Sequence, residues 1–561
     1  MWRVFRKFFL LIFSSVLLYG NDPAQEIVIE KLRGIVLSNE ADAKKREELE
    51  NLERIRIERI EQVGSRLAWR KFSGDLGKRF LNRPMRHEDL EEIRGAVALY
   101  YERQGRPFVQ VVIPPQEVTD GILQIMVQES TLDEIHLKGN HWTKDWQILN
   151  NIHVQVGKPI DTDTLNADLA FLNRNPFRQT NAIFSPGEQD LSTDLELATK
   201  ELRPFRFYVG IDNRGNEAFG RLRQFEGFNW GNFLGLNQVL SYQLTTSVSR
   251  ISNLVAHSAY YEIPLPYRQS VVFFGGYSRI QDENVEALTS NEGHNIQGSG
   301  RYHLPLFSFR NHYHDCYIGF DFKESNNNAL FSEEPIFVNL TNLSQFVIGY
   351  QYQSGWNFGS IVGDLGLYFS PARFFSHQST DAYRLLSPGS RPKYYYLKGE
   401  LSSRFFLPKC FGVSFLLTAQ YANQNLLPSE QLGLGGFDTV RGYRERVING
   451  DNGISSSVMV TTPPLSLLKG KVACKEKTLD QLTFLAFVDY GWVQPHRHVY
   501  DPATGESLTQ KTEYILGVGP GVRYFIDPYL NLAAYWGFRL RKVDAQDHLG
   551  GRVNISLVVS Y

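Results

Sequence analysis

The C-terminal stretch Arg552-Val553-Asn554-Ile555-Ser556-Leu557-Val558-Val559-Ser560-Tyr561 alternates almost without interruption. Successive side chains of a strand point to opposite faces. Val553, Ile555, Leu557, Val559 and Tyr561 therefore share one face, and Arg552, Asn554, Ser556 and Ser560 make most of the other. The same grammar recurs upstream. Leu532, Ala534, Trp536, Phe538 and Leu540 alternate with Tyr535, Arg539 and Arg541, and Leu397, Gly399 and Leu401 alternate with Lys398, Glu400 and Ser402. In Phe205-Arg206-Phe207-Tyr208-Val209-Gly210-Ile211-Asp212 the apolar set again lies on one face. Polar segments rich in Asn, Ser and Gly, such as Glu324 to Glu334, separate these runs. Apolar faces backed by charged ones fit strands with lipid outside and a wet lumen inside. A soluble sandwich also alternates, but it buries its apolar face and seldom sustains the pattern from Arg203 to the C-terminus. An aromatic ending the last strand is typical of outer-membrane barrels, where that strand pairs with the first and leaves no edge.

Composition agrees and adds exclusions. The chain has 561 residues, too many for one compact domain. Its 59 basic and 60 acidic residues leave a net charge of −1, which argues against nucleic acid as a partner. Aromatics make up 13%, with Phe 38, Tyr 28 and Gly 46, a supply suited to strands, turns and membrane interfaces. The mean hydropathy of −0.29 is no obstacle. A barrel shows lipid only every second strand residue.

The N-terminus reads as a secretory signal peptide. Arg3, Arg6 and Lys7 precede the apolar run Phe8 to Leu18, which is too short for the roughly 20 residues a membrane helix needs. Leu18 before Gly20 is a poor match to a small-x-small cleavage site, and a buried N-terminal helix is the alternative. Ile27, Ile29, Leu32, Ile35 and Val36 then give a short amphipathic stripe, so a helix is expected over Ala24 to Leu37. Ser38 to Arg59 is mixed Glu, Lys and Arg, a solvated helix or linker.

Two small α+β modules follow. In the first, a strand begins near Ile55, a helix is expected over Arg86 to Arg103 with Gly105 as its breaker, and Phe108 to Ile113 and Ile122 to Val127 are strands. In the second, Leu132 to Lys138 is a strand, Trp142 to His153 and Asp163 to Leu172 are helical, and Gln179 to Phe184 and Thr193 to Thr199 are strands. The similar content suggests a repeated module.

Chemistry-bearing motifs are scarce. Cys316, Cys410 and Cys474 form neither CxxC nor an even framework. The run His312-Tyr313-His314-Asp315-Cys316 has the composition of a metal site, but an alternating strand end explains it equally well, and neither a metal nor a cofactor is expected. No Gly-x-Ser-x-Gly, His-Glu-x-x-His or phosphate-binding Gly-Lys-Ser/Thr loop is present, so an enzyme is the weakest class.

Four local matches carry a family resemblance. The first is Tyr101, Gly105, Pro114, Gln116, Gly121 and Leu123, with no glycine near Glu129-Ser130 where one is usual. The second is Leu172-Asn173-Arg174-Asn175-Pro176-Phe177-Arg178. The third is Asp212-Asn213-Arg214-Gly215 with Gly220. The fourth and most specific is Gly435-Gly436, then Val440-Arg441-Gly442-Tyr443, then Gly450-Asp451-Asn452-Gly453. Together they resemble the two-partner secretion translocators of haemolysin-activator type, within the superfamily of POTRA-bearing barrels.

The resemblance implies a transmembrane β-barrel of 16 antiparallel strands preceded by two POTRA domains and an N-terminal helix that plugs the pore or serves as a spacer. On this reading 1–20 is the signal peptide, 21–54 the helix and linker, 55–131 and 132–202 the POTRA domains, and 203–561 the barrel. It further implies that Val440, Arg441, Gly442 and Tyr443 form a loop folded into the lumen. Arg441 would reach Asp489 on a strand that also carries Phe487 and Gly491. Tyr101, Gly105, Pro114, Gln116, Asn175 and Pro176 are the POTRA positions, and Tyr561 is the C-terminal barrel signal. The implied function is export of a large, β-helical exoprotein captured in the periplasm. Outer-membrane lipid and the barrel assembly machinery are further partners, and the location is the outer membrane with the N-terminal domains in the periplasm. The alternative is an assembly factor for other barrels, since the loop tetrad occurs there too. A passive porin would not require two folded modules.

Overall fold

The computed structural model describes residues 27–39, 55–58, 62–215, 220–284, 289–306, 308–309, 311–331, 334–372, 374–473, 478–509, 511–543 and 550–561. The expected signal peptide, most of the expected linker and Cys474 lie outside these residues. The chain divides into two compact units, and the boundary runs through the second small module.

The first module corrects the expected N-terminal helix. Within the span read as helical, β1 (Ile27–Ile29) and β2 (Gly34–Ser38) are strands. They are followed by β3 (Ile55–Glu58), α1 (Arg66–Phe80), β4 (Met85–Arg86), α2 (His87–Arg103), β5 (Val109–Val112) and β6 (Ile122–Glu129). The sheet order is β3-β2-β6-β5, so β2 occupies an interior position, parallel to both β3 and β6. Every residue of β2 is buried. The physical reason is that a short β-branched run enclosed on both faces has no alternation to display, and five residues are too few to separate the helical from the strand period. Helix α1 is a further element, absent from the expectations above, and its Trp69, Phe72, Leu76 and Phe80 recur at helical spacing. Ser65 starts it, its Oγ accepting the Ala68 amide proton at 3.1 Å. Leu76 and Phe80 pack from it into a core shared with Ile35, Leu37, Ile93 and Leu123.

The second module contains β7 (Thr131–Lys138), α3 (Asp145–Leu149), α4 (Thr162–Leu172), β8 (Arg178–Pro186) and β9 (Ser192–Glu201), with sheet order β7-β9-β8. The helix expected over Trp142 to His153 is confined to α3.

Sixteen long antiparallel strands then close into a barrel. The first, Phe205–Asp212, pairs with the second and with the last, Gly551–Ser560, in the register Tyr208↔Ser560 and Ile211↔Leu557. The seam extends to the chain end, where Tyr561 and Phe207 exchange both backbone hydrogen bonds at 2.9 and 3.0 Å. The alternation is read correctly. Phe205 and Val559 are 48% and 52% exposed on the outer face, whereas Asp212 and Asn554 are buried on the inner one. The seventh and eighth strands, His312–Phe331 and Glu334–Trp356, run 20 and 23 residues, about twice the roughly 9–11 that cross a bilayer. The polar stretch from Glu324 to Phe331 is thus strand rather than connection. Beyond the lipid band, backbone pairing continues with no need for an apolar face. Among the described residues no helix is long and apolar enough to cross a membrane.

His312 and His314 need no metal to explain them. Their Nδ1 atoms lie 2.6 and 2.5 Å from the hydroxyls of Tyr352 and Tyr350 on the neighbouring strand. Cys316 is a free thiol and Cys410 is disulfide-bonded.

If β2 is a structural strand, Leu37→Ala should cost the first module about 2–5 kcal/mol. The check is urea unfolding followed by proteolysis of the periplasmic part. An unshifted midpoint would place β2 outside the core.

Candidate functional site

The connection between the eleventh strand (Gly412–Ala422) and the twelfth (Asn452–Thr461) folds into the lumen. Its arms, Leu432–Leu434 and Ile448–Gly450, pair as a short antiparallel hairpin. Gly435 and Gly436 turn the chain at φ +110° and +99°, a region closed to most side chains. The Gly435 amide donates to Thr439 Oγ1 at 2.8 Å, and the Gly436 amide donates to the Val440 carbonyl at 3.2 Å. That turn delivers Val440-Arg441-Gly442-Tyr443 to the barrel wall. Val440 and Tyr443 are buried with Leu434, Ile448, Val493 and Ile515.

The structure brings Arg441 and Asp489 together. Nε donates to Oδ2 at 2.7 Å and Nη2 to Oδ1 at 2.6 Å, a two-pronged ion pair. The Arg441 backbone amide adds a bond to Oδ2 at 3.0 Å. Ser457 completes the carboxylate's shell, its Oγ donating to Oδ1 at 2.6 Å. The guanidinium carbon stands 3.6 Å from the centre of the Phe487 ring and 5.1 Å from that of Tyr535. Both charges are buried. Such a pair resists removal of either partner, since a lone buried charge costs about 3–5 kcal/mol.

Glycines set how close the hairpin comes. A Cβ at Gly517 would stand 2.2 Å from the Arg441 carbonyl oxygen, and one at Gly537 would stand 2.4 Å from the Gly442 nitrogen. At Gly491 it would meet Leu434 at 2.7 Å and Val440 at 3.0 Å. Gly442 itself sits at φ +100°. Tyr443 donates to the Arg541 carbonyl at 2.7 Å. Arg214, from the third motif, forks onto Asp438 of the same loop with two bonds of 2.9 Å. Gly517, Gly537 and Ser457 have no place in the motifs read from the sequence, and Tyr535 enters there only as one residue of an alternating strand. The available signal was glycine inside otherwise regular strands, which marks close approach of another backbone.

The POTRA positions hold the modules together. Tyr101 is buried in the first core, where desolvation pushes its phenol well above the ordinary range. Gly105 follows α2 at φ +81°, and its carbonyl accepts the Thr162 amide proton at 2.8 Å. Gln116 mimics a strand residue. Its Nε2 donates to the Gln124 carbonyl at 2.7 Å and to that of Pro114 at 3.2 Å, while its Oε1 accepts the Gln124 amide proton at 2.8 Å. Asn175 does something different. Its side-chain amide donates at 2.6 Å to the Gly231 carbonyl of the second barrel strand, Arg223–Phe233. After Pro176, Phe177 lies against Gly231, and Arg178 donates to Asn237 Oδ1 at 3.1 Å. Burial pulls the Arg178 guanidinium down to about 10, with Glu201 acting the other way. Buried Asp168 accepts from the His153 ring and backbone, both at 2.8 Å. Burial pushes its carboxyl up, and the His153 contacts oppose this.

A closed sixteen-strand barrel, small α+β modules before it and an arginine-anchored lumenal hairpin define the class of POTRA-bearing outer-membrane barrels. The chain belongs to the family described as haemolysin secretion/activation protein ShlB/FhaC/HecB, which it matches over residues 192–523, with a ShlB-type POTRA domain over 55–130. It is 22% identical over 396 residues to the heme/hemopexin transporter protein HuxB of Haemophilus influenzae, covering 67% of this chain and 66% of that protein. With the outer membrane transporter CdiB of Dickeya dadantii the identity is 23% over 438 residues, 76% of this chain and 74% of the other. The solved structure of CdiB from Escherichia coli shares the fold, with a TM-score of 0.75 at 17% identity over 97% of this chain and 93% of that one. These place the protein in the outer membrane with its POTRA domains in the periplasm.

Gly517→Val should push the hairpin off the wall, an overpacking cost of about 1–3 kcal/mol. Limited trypsin digestion of the purified protein should then cut after Arg441, which is buried in the native fold. A digestion pattern identical to wild type would show that the close approach is dispensable.

Proposed function

We propose that this protein exports a secreted partner polypeptide across the outer membrane, with the buried Arg441–Asp489 pair holding the lumenal hairpin in the transport-competent position. The observation that carries the reading is that pair, two-pronged and enclosed by Phe487 and Tyr535, inside a barrel of the haemolysin secretion family. The relatives HuxB and CdiB are named as transporters, which supports the same direction.

The partner is captured unfolded in the periplasm. In the first module β5 lies at one end of the sheet order, in contact with α2. A strand edge beside a helix suits addition of an extended peptide, whose backbone gives affinity and whose alternate side chains give specificity. The partner is a large exoprotein of β-helical form, and its folding outside the cell supplies direction. Outer-membrane lipid surrounds the outward face, and the barrel assembly machinery inserts the protein with Tyr561 in its C-terminal signal. Tyr101, Gly105, Pro114 and Gln116 keep the binding module folded. Asn175 and Pro176 belong to the join between the second module and the barrel.

Deleting the gene should remove one large protein from the culture supernatant and leave other outer-membrane barrels at parental levels. A broad fall in barrels with no single missing exoprotein would make the protein an assembly factor instead. Arg441→Ala should abolish most export while the barrel remains inserted. Arg441→Lys should recover only part of it, because an ammonium cannot form the two-pronged bond. Wild-type export by Arg441→Ala would remove the pair from the mechanism.

A further inference from the structure

A second anchor holds the same loop at its base. Glu430 precedes the hairpin, and its side chain is 1% exposed. Lys323 of the seventh strand donates to Oε1 at 2.7 Å. Gln345 of the eighth donates to Oε2 at 3.0 Å, and Tyr396 of the tenth does so at 2.8 Å. The network continues sideways, with Gln345 donating to Asp321 at 3.0 Å and Arg301 to Asp321 at 2.6 Å.

Its position is what gives this cluster a consequence. On one side lies a lumenal cavity of 860 Å³ whose wall includes Arg301, Tyr317, Asp364, Tyr368, Lys398 and Glu400. On the other lies a cavity of 740 Å³ bounded by Lys323 and by Leu427, Pro428 and Ser429 of the loop base. Phe274 lines both, so the two are neighbours along one wall. Tyr368 of the first cavity stacks on Tyr396 at 4.6 Å between ring centres, which ties that cavity's surface to Glu430's own ligand.

We infer that the conduit for the exported chain runs along the wall of strands four to ten through these two cavities, and that the Glu430–Lys323 pair is the gate between them. The occupant is an extended segment of the secreted partner, and in that respect the inference rests on the function proposed above. The first cavity suits it. Four cations in its wall, Arg301 and Lys398 among them, balance four anions, Asp364 and Glu400 among them, so no charge pattern in the cargo is favoured. Tyrosines offer an apolar face and a hydroxyl to any passing residue. The two anchors differ in kind. Arg441 is enclosed by two rings and backbone, whereas the Lys323 side chain is 22% exposed and keeps access to water. The gate therefore releases the loop base while the tip stays on Asp489.

The test is the resting conductance of the full-length protein in planar bilayers. Glu430→Gln and Lys323→Met should each raise it several-fold, and the exchange Glu430→Lys with Lys323→Glu should bring it back toward wild type. Wild-type conductance in both single variants, or an exchange as leaky as they are, would overturn the gate. For the path, a photo-crosslinking residue in place of Tyr368 should capture the partner during export, whereas one in place of outward-facing Leu367 should not. Capture failing at Tyr368 while export proceeds would overturn the path. If wild-type cells export no partner, the secretion reading fails, and the conductance result still decides the gate.

Discussion

Inside a bilayer an unpaired backbone N–H or C=O has no water to turn to and costs several kcal/mol, so a sheet that crosses must close on itself. Closure here depends on the first and last strands finding one register. The apolar positions of both face outward in that register, with Val209 opposite Val559 and Ile211 opposite Leu557. A slip of one residue would turn charged or polar groups such as Arg552 and Asn554 toward lipid. The final Tyr561 extends this pairing to the chain end through its backbone bonds to Phe207. Its contribution to the seam is therefore positional as much as chemical.

Closing sixteen strands creates the second constraint, a lumen that polar side chains line and that is wide enough for water. The protein fills part of it with its own loop and fixes that loop by charge rather than by apolar packing alone. The choice follows from the surroundings. A wet lumen offers little apolar surface to bury, whereas a guanidinium can be desolvated locally between Phe487 and Tyr535 and aimed at one carboxylate. Glycine completes the arrangement, because Gly517 and Gly537 let the hairpin backbone touch the wall backbone. A loop held this way has one arrangement at its tip and a separate, wetter one at its base.

Period-two alternation made the barrel legible, and it did so through particular strands, Phe205–Asp212 and Gly551–Ser560 above all. Where alternation is absent the reading went astray for physical reasons. β2 is enclosed on both sides, so Ile35-Val36-Leu37 carries no face to read, and the stripe from Ile27 to Val36 mimics a helix. Helix α1 does keep a core-facing stripe, Trp69, Phe72, Leu76 and Phe80, but Gly74 and Gly77 and the exposed Leu67 dilute it among charged residues. Arg441 and Asp489 came from a family motif, not from periodicity, and the contact geometry then brought them together. Glu430 carried no signal at all. A glutamate in a loop looks solvated until the strands supplying Lys323, Gln345 and Tyr396 are placed round it.

The Asn175-Pro176 signature gains its meaning from the same logic of place. Asn175 bonds to the second barrel strand at Gly231, and Asp168 of α4 lies 3.6 Å from Arg268 in the turn between the fourth and fifth strands. Arg174 pairs with Asp315 at the start of the seventh. These contacts fall on strands two to seven, and the fourth to seventh of them form part of the cavity wall, with Lys323 on the seventh. Asp489, by contrast, stands on the thirteenth strand. The module's contacts thus reach from the second strand to the seventh, and the seventh also carries Lys323, the loop's base contact. In the gate proposed above, the second module and the loop base therefore share the seventh strand, whereas the tip is held on the thirteenth.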